Sequence, residues 1–407
     1  MSFYNKIENY VPFLLPLLIL FSRTTADIIV TSIALLFLIK SVQDNNFNWL
    51  SYKWVQVTII FFLYLIIVNT PLSYNPAESF YYSFGFLRWP IFSLAIAIWI
   101  FRTDIAYKKF LLSTLFFGFI FIADIWYQFL INENGIFGLS SNNFAGRLSI
   151  PFSNNVFPGR IITYLTFFII IISFYLNLSS NKKQNPYFIF SILFIGFFST
   201  LITGERMSFL IFLSSILILQ IPLIFIHKYK IILFNIILFL LVLLVFFLAP
   251  SLAERSFFSV IEKLQNFWES DYGVVFLSSI ERWLQNPFFG FGMHQFQLTG
   301  DSYRSGIIEI TNIRHAHNLP LNLLVETGVV GFFLFYLIIF FIIKELFLKI
   351  KNNLPFLLLL LIFIYLSFFP FHSHFSFSHN WINTFSWLSI GLIFSISNLY
   401  EKNNKNK

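Results

Sequence analysis

Long apolar runs broken by short polar turns fill most of this chain. A helix needs roughly 17–25 mostly apolar residues to cross a bilayer. Twelve runs qualify as candidate spans: 10–22, 26–39, 54–69, 81–101, 110–131, 160–178, 187–203, 207–226, 231–249, 317–343, 354–370 and 382–398. The first two are short and separated only by Arg23, Thr24 and Thr25, so a re-entrant hairpin followed by ten full spans is the alternative. In lipid each run must satisfy its own backbone hydrogen bonds, which makes each a helix. No stretch alternates as a membrane barrel strand does. The expected fold is therefore all-α, a polytopic transmembrane bundle of about twelve spans over 1–407 as a single membrane domain.

Composition agrees with the pattern. Of the residues, 57% are hydrophobic, 11% are charged and sixty are Phe; soluble domains carry about 25% charged residues. The formal net charge of +8 raises nucleic acid as a partner, but most charges lie in short loops between apolar runs, so no nucleic acid is expected. There is no cysteine, which removes disulfides and thiol chemistry. The first residues hold Lys6 and no small-residue cleavage site follows, so the first run reads as an uncleaved signal anchor.

Lysine and arginine in the loops set the orientation. With the N-terminus in the cytoplasm and twelve crossings, sixteen of the basic residues fall inside, from Lys6 and Lys40 to Lys405 and Lys407. The short outer loops 70–80 and 371–381 hold none. Both termini are expected inside, with loops 132–159 and 250–316 outside. Fifteen of the sixteen inner residues are lysine, whereas nine of the other ten are arginine: Arg23, Arg88, Arg147, Arg160, Arg206, Arg255, Arg282, Arg304 and Arg314. Lysine suffices for topology, while arginine offers a rigid fork for phosphate. Several of these arginines are thus candidates to line an anionic site; coding bias toward lysine is the plainer reading.

The long outer loop 250–316 carries Trp268, Trp283 and the turn-rich Asn286-Pro287-Phe288-Phe289-Gly290-Phe291-Gly292. Its stretches 251–268 and 277–285 read as amphipathic helices resting on the membrane surface. No internal repeat is visible, and low complexity is confined to the Asn/Lys tail from Lys402.

Candidate chemistry gathers at three places. Arg206, in Thr203-Gly204-Glu205-Arg206-Met207-Ser208, sits at the outer edge of two apolar runs. A charge there is costly unless paired, hydrated or functional; it is either a clamp for an anion at a helix start or a salt bridge to Glu205. Arg282, between Glu281 and Trp283, would alone be an ordinary surface arginine. His317 opens the richest segment, from Arg314-His315-Ala316-His317-Asn318 to Glu326-Thr327-Gly328 and Gly331. An imidazole at the membrane surface can act as a base near neutral pH. His315 and His317 flank one residue, but no carboxylate cluster accompanies them, so no metal is expected. His294, His372, His374 and His379 read as solvated loop histidines or contributors to the same site. Within the spans, Asp124 and Arg88 are either functional or structural pairs between helices.

These motifs resemble the O-antigen ligase and O-antigen polymerase superfamily of bacterial inner-membrane glycosyltransferases. The likeness rests on Gly204-Glu205-Arg206 opening a helix, on Glu281-Arg282-Trp283 before the Asn286–Gly292 run, on His317-Asn318 with Leu321, Glu326, Gly328 and Gly331, and on their order around a large outer loop. A weaker element is Arg147-Leu148-Ser149 with the Pro151–Val156 run and Gly159. The specific motifs cover roughly 145–335, with 200–340 as the ligase-like core region including loop 250–316.

The resemblance implies a glycan moved from undecaprenyl diphosphate at the periplasmic face of the inner membrane. The acceptor would be a lipid A-core hydroxyl (ligase) or another lipid-linked glycan (polymerase), with inversion and with no metal, nucleotide sugar or other cofactor. It implies His317 as base and Arg206 and Arg282 on the diphosphate. Arg160, Arg314, Arg147, His315, Asn318 and Glu326 are further candidates for diphosphate or glycan contact. The lipid tail would lie among membrane lipids and Phe-rich walls between spans. The His-Asn helix favours the ligase. A transporter or flippase would predict paired repeats and broken mid-membrane helices, and no repeat is seen.

Overall fold

The structure is a computed structural model and describes residues 3–131, 134–137, 147–153, 155–180, 182–183, 185–296, 303–305, 308–310, 315–351, 353–370 and 379–405. Its helices follow the apolar runs closely. They are α1 (Phe3–Phe21), α2 (Arg23–Gln43), α3 (Lys53–Tyr64), α4 (Pro76–Phe86), α5 (Arg88–Ala95), α6 (Asp104–Ile131), α7 (Pro158–Ser179) and α8 (Pro186–Ile202), then α9 (Arg206–Leu248), α10 (Pro250–Ala253), α11 (Ser259–Gln265), α12 (Asp271–Gln285), α13 (Leu319–Ile350), α14 (Leu354–Phe368) and α15 (Asn380–Lys405). π-helical turns extend α3 to Asn69, extend α5 to Ile100 and bridge α10 to α11. Among the described residues the strands are a small antiparallel pair, Tyr303–Ser305 with Ile308–Ile310, inside the segment before α13.

Among the described residues seven helices are long and apolar enough to cross a membrane, and four shorter apolar ones accompany them. Local chemistry sets where they begin. α4, α8, α13 and α14 each start with an Asn side chain accepting a backbone N–H and a Pro in the first turn; Asn satisfies an orphan donor, and Pro tolerates a place where no donor is needed. α1 and α2 are separate helices, divided by a capping box at Ser22 and Thr25.

α9 spans 43 residues, about 65 Å if straight. It is not straight. Gln220 and Asn235 exchange two side-chain amide hydrogen bonds, at 2.8 and 3.0 Å, although a straight helix would hold them roughly 22 Å apart. The chain therefore doubles back between them, which restores the two runs 207–226 and 231–249 read from the sequence.

α7 and Asn380–Lys402 are largely enclosed by other helices, whereas Lys228–Leu248 is mostly uncovered. The bundle has two ends. At one, the Asn318 amide at the start of α13 donates to the Pro370 carbonyl just beyond α14 (2.8 Å). At the other, Lys349 near the end of α13 donates to Asn398 on α15 (2.6 Å).

Of the two charges singled out within the spans, Arg88 is half-buried and forms an ion pair with Asp27 of α2 at 2.9 Å, and Asn380 donates to the same carboxylate at 2.7 Å. It ties α2, α5 and α15 together. Asp124 accepts from Gln128 (2.7 Å), and Gln128 holds both the N–H and the carbonyl of Ser149. Asp124 thus braces the segment that carries Arg147.

Candidate active site

Three chain segments converge at the Asn318 end. Leu148 N–H donates to the Thr203 carbonyl (3.1 Å), so the segment carrying Arg147 is stitched to the α8–α9 turn. That turn needs Gly204 in the left-handed region, φ +70°, which costs glycine nothing. It places Glu205 as the N-cap of α9 and Arg206 as its first residue. α7 enters alongside. A Cβ on Gly159 would come within 3.0 Å of Glu205 Oε1 and 2.8 Å of Thr203 Oγ1, so only glycine allows this approach.

The convergence encloses a cavity of about 130 Å³, walled by Arg147, Arg160, Glu205, Arg206, Tyr272 and His317 among others. A second cavity of about 400 Å³ shares Arg206, Met207, Tyr272 and His317 with it and continues between α9, α11 and α12. The second is lined mainly by apolar side chains, including Leu210, Val260, Leu264 and Phe276. A charged cup thus opens into an apolar groove.

The cup is short of anions. Arg206 Nε donates to the Arg255 carbonyl (2.9 Å), and Arg255 Nε donates to the Gly204 carbonyl (2.7 Å). This exchange locks the α8–α9 turn to the π-helical turn Glu254–Phe258. Burial, then repulsion from Arg147 and Arg206, lowers the pKa of Arg255. Arg147 Nε is buried with no hydrogen-bond partner among the described residues; an orphaned buried charge-bearing donor is costly and calls for an acceptor.

Glu205 does not pair with Arg206. Its carboxyl accepts from Gly159 N–H and from Ser208 Oγ (2.7 Å). Burial pushes its pKa up to about 7, against those two hydrogen bonds and the nearby Arg147 and Arg160. It is substantially protonated at neutral pH and so neutralises the arginines only in part. A group whose folded-state pKa is raised loses its stabilising effect as pH rises from its unfolded value, here about 4.5, to about 7. Melting temperature is therefore expected to fall between pH 5 and pH 8. Glu205→Gln, which resembles the protonated acid, should flatten that component; an unchanged pH slope in differential scanning fluorimetry would refute it.

His317 sits at the rim with φ +51°, a conformation uncommon outside glycine. Asn318 follows as N-cap of α13, accepting from Leu321 N–H at 3.1 Å. The imidazole is exposed at the cavity wall, yet protein crowds its other sides: the His315 ring centroid is 4.0 Å away and that of Tyr272 is 6.3 Å away. Burial first, and the Arg147 cation second, lower its pKa below the ordinary histidine value. The shift favours the neutral ring, which offers a lone pair.

The other expected residues divide. Arg160 lines the cup, but its Nη2 also donates to the Leu366 carbonyl of α14 at 2.8 Å, and its side chain is buried. Asn318 borders the apolar groove. Arg282 lies in the last turn of α12 and lines neither cavity. Glu326 is buried in α13, where its carboxylate accepts from His294 N–H at 3.1 Å. Arg314, His372 and His374 lie outside the described residues. Nothing in the sequence marks Tyr272; Arg255 stands there only among the outer arginines, Ser208 only within the Thr203–Ser208 run, and Glu205 as an ion-pair partner. The signal available for Glu205 was a carboxylate directly beside an arginine at a helix start.

The Asn286–Gly292 run is a clasp. α13 is broken at Gly328 (φ +65°, ψ −175°), and the run packs its backbone into the break. Phe291 N–H and Gly292 N–H donate to the carbonyls of Val325 and Glu326, while Val329 and Val330 donate to those of Pro287 and Phe288. Asn69 and Tyr64 close it from α3 and its π-helical extension, Tyr64 donating to the Thr327 carbonyl at 2.6 Å. A Cβ on Gly328 would fall 2.2 Å from the Phe288 carbonyl oxygen. Gly328→Ala is expected to cost at least ~1–3 kcal/mol from backbone strain alone and to lower the melting temperature sharply. A melting curve matching the unsubstituted protein would show that the clasp does not position the helix under His317.

Residues 189–336, from α8 to the middle of α13, match the family model described as O-antigen ligase. This segment is similar to the O-antigen ligase family. The match takes in the Gly204–Arg206 turn, the Gly328 clasp and His317, and leaves Arg147 and Arg160 just ahead of it. The matched family's description and the apolar helices, long enough to cross a membrane, together point to a membrane-integral protein of the O-antigen ligase or polymerase type. Neither a curated protein nor a solved structure matches the chain. Among the described residues no cluster of three or more metal-ligating side chains occurs.

Proposed function

We propose that this O-antigen ligase-like protein transfers a glycan from an undecaprenyl-diphosphate carrier to an acceptor hydroxyl at the periplasmic face of the bacterial inner membrane, with both termini in the cytoplasm. One observation carries the reading: an arginine-rich cup, with His317 at its rim, opens directly into an apolar groove. A lipid diphosphate has the same two halves. Its phosphates would meet Arg147 and Arg206, with Arg160 behind, and the first prenyl units would follow the groove past Leu210 and Leu264. Arg282 and Arg314 would act further along the donor.

In the reaction, His317 accepts the proton of the acceptor hydroxyl as that oxygen attacks the anomeric carbon. The bond from the anomeric carbon to the phosphate oxygen breaks on the opposite face, and the configuration inverts. The lipid diphosphate leaves with the bonding electrons. Arg147 and Arg206 stabilise the growing negative charge in a site that excludes much of the water. Proton transfer needs neutral His317, so activity is expected to fall at acid pH as the imidazole protonates. Arg147→Gln removes a cation that disfavours imidazolium. The acid limb of its residual rate should therefore move to higher pH; an unmoved limb would separate His317 from Arg147.

The ligase reading takes a lipid A-core acceptor and the polymerase reading a second lipid-linked glycan. The ordered His317–Asn318 start of α13 favours the ligase. Purified protein offered both acceptors together decides between them. Core-linked product supports the ligase, and lengthened lipid-linked chains with no core product reject it in favour of the polymerase.

A further inference from the structure

The opposite end of the bundle holds a cavity that the transfer chemistry does not use. It measures about 500 Å³ and lies where α2, α5 and α15 end and the short 3-10 turn Asn48–Ser51 begins. The Lys349–Asn398 hydrogen bond fixes it at the far end of α13 from His317. Three cations face it, Lys40, Arg102 and Lys402, against one carboxylate, Asp44.

Their hydrogen bonding is unequal. Lys40 is already spent on Asp44, at 2.7 Å. Arg102 uses Nε to cap the Ile98 carbonyl at the end of the α5 helix, a common duty for a cation there. Its two terminal nitrogens have no partner among the described residues, and neither has Lys402. Both side chains are exposed. The floor beneath them is apolar and aromatic, with Phe37, Ile98, Trp99 and Leu399, and Trp49 and Tyr52 stand at the edge as aromatic residues do at a membrane interface. A simple counter-ion site needs no apolar floor, and a simple lipid-facing groove needs no uncommitted guanidinium. Basic pockets between transmembrane helices on the cytoplasmic side take acidic lipid headgroups.

We propose that this cavity binds the phosphate headgroup of an anionic phospholipid, with Arg102 and Lys402 on the phosphate and the glycerol and upper acyl carbons over Trp99 and Leu399. This assignment rests on the proposed cytoplasmic placement of both termini and not on the glycosyl-transfer chemistry.

The test is native mass spectrometry of the full-length protein in detergent, titrated with phosphatidylglycerol or phosphatidylcholine. The first bound phosphatidylglycerol should be retained about thirty-fold more weakly by the Arg102→Gln/Lys402→Gln double variant, from two lost surface cations. Phosphatidylcholine adducts should not change. Lys228→Gln/Lys230→Gln, with the same charge removed elsewhere, should retain phosphatidylglycerol as the unsubstituted protein does. If the double variant does not fold, Lys402→Gln alone should still show a several-fold loss. Equal retention by the double variant and the unsubstituted protein overturns the site. Displacement of phosphatidylglycerol by millimolar inorganic phosphate shows a site for the free anion and overturns the lipid assignment.

Discussion

His317→Ala is expected to lower the rate of glycan transfer by about 10²–10⁴-fold, the range that a positioned general base contributes. The loss should fall on the chemical step. Donor affinity should hold within a few-fold, because the arginines of the cup are untouched and Asn318, not His317, caps α13. The unusual backbone at His317, φ +51°, gives a control: His317→Asn and His317→Gly tolerate this conformation better than alanine. If backbone strain were the function of the site, those variants would be active; if the lone pair is, they are as dead as alanine. Single-turnover transfer with separately measured donor binding distinguishes the cases. Activity in the glycine variant within ten-fold of the unsubstituted protein would remove His317 from the chemistry.

Arg206→Ala should cost about 10²–10³-fold in turnover, comparable to the removal of one preorganised donor from a developing anion. Arg206→Lys should recover only part of this, because an ammonium restores charge without the planar fork. Part of the loss is structural, since Arg206 Nε holds the Arg255 carbonyl. Arg147 offers the cleaner comparison, as its Nε has no partner to lose among the described residues. The double variant Arg147→Ala/Arg206→Ala should lose much less than the product of the two single effects if both act on one diphosphate. Strict multiplication in steady-state rates would place them on independent groups.

The apolar runs made most of the fold legible, because a helix in lipid is forced by backbone hydrogen bonding and its length is forced by the bilayer. Boundaries agree to a few residues where Asn and Pro punctuate the chain, as at Asn185–Pro186 and Asn353. The division of α9 was also legible, through Lys228 and Lys230 between its two apolar halves. What stayed hidden were contacts between distant segments. Nothing local says that the Asn286–Gly292 run fills a break at Gly328, although the glycines at 290, 292 and 328 were the signal of positive φ. Arg147 gains its place in the cup from Gln128 and Thr203, neither of which looks chemical in sequence. Arg282 reads like Arg206 along the chain but faces neither cavity, because a residue's neighbours in a bundle are set by packing and not by motif.

The most direct test of the account counts two products of one event. Purified protein in liposomes, with a chelator present and no nucleotide, is given an undecaprenyl-diphosphate glycan and an acceptor. One free undecaprenyl diphosphate is expected for each glycan joined to acceptor, and both should fall together by about 10²–10⁴-fold with His317→Ala. Donor that crosses the bilayer intact, with no lipid diphosphate released and no new glycosidic bond, would contradict it and make the protein a transporter.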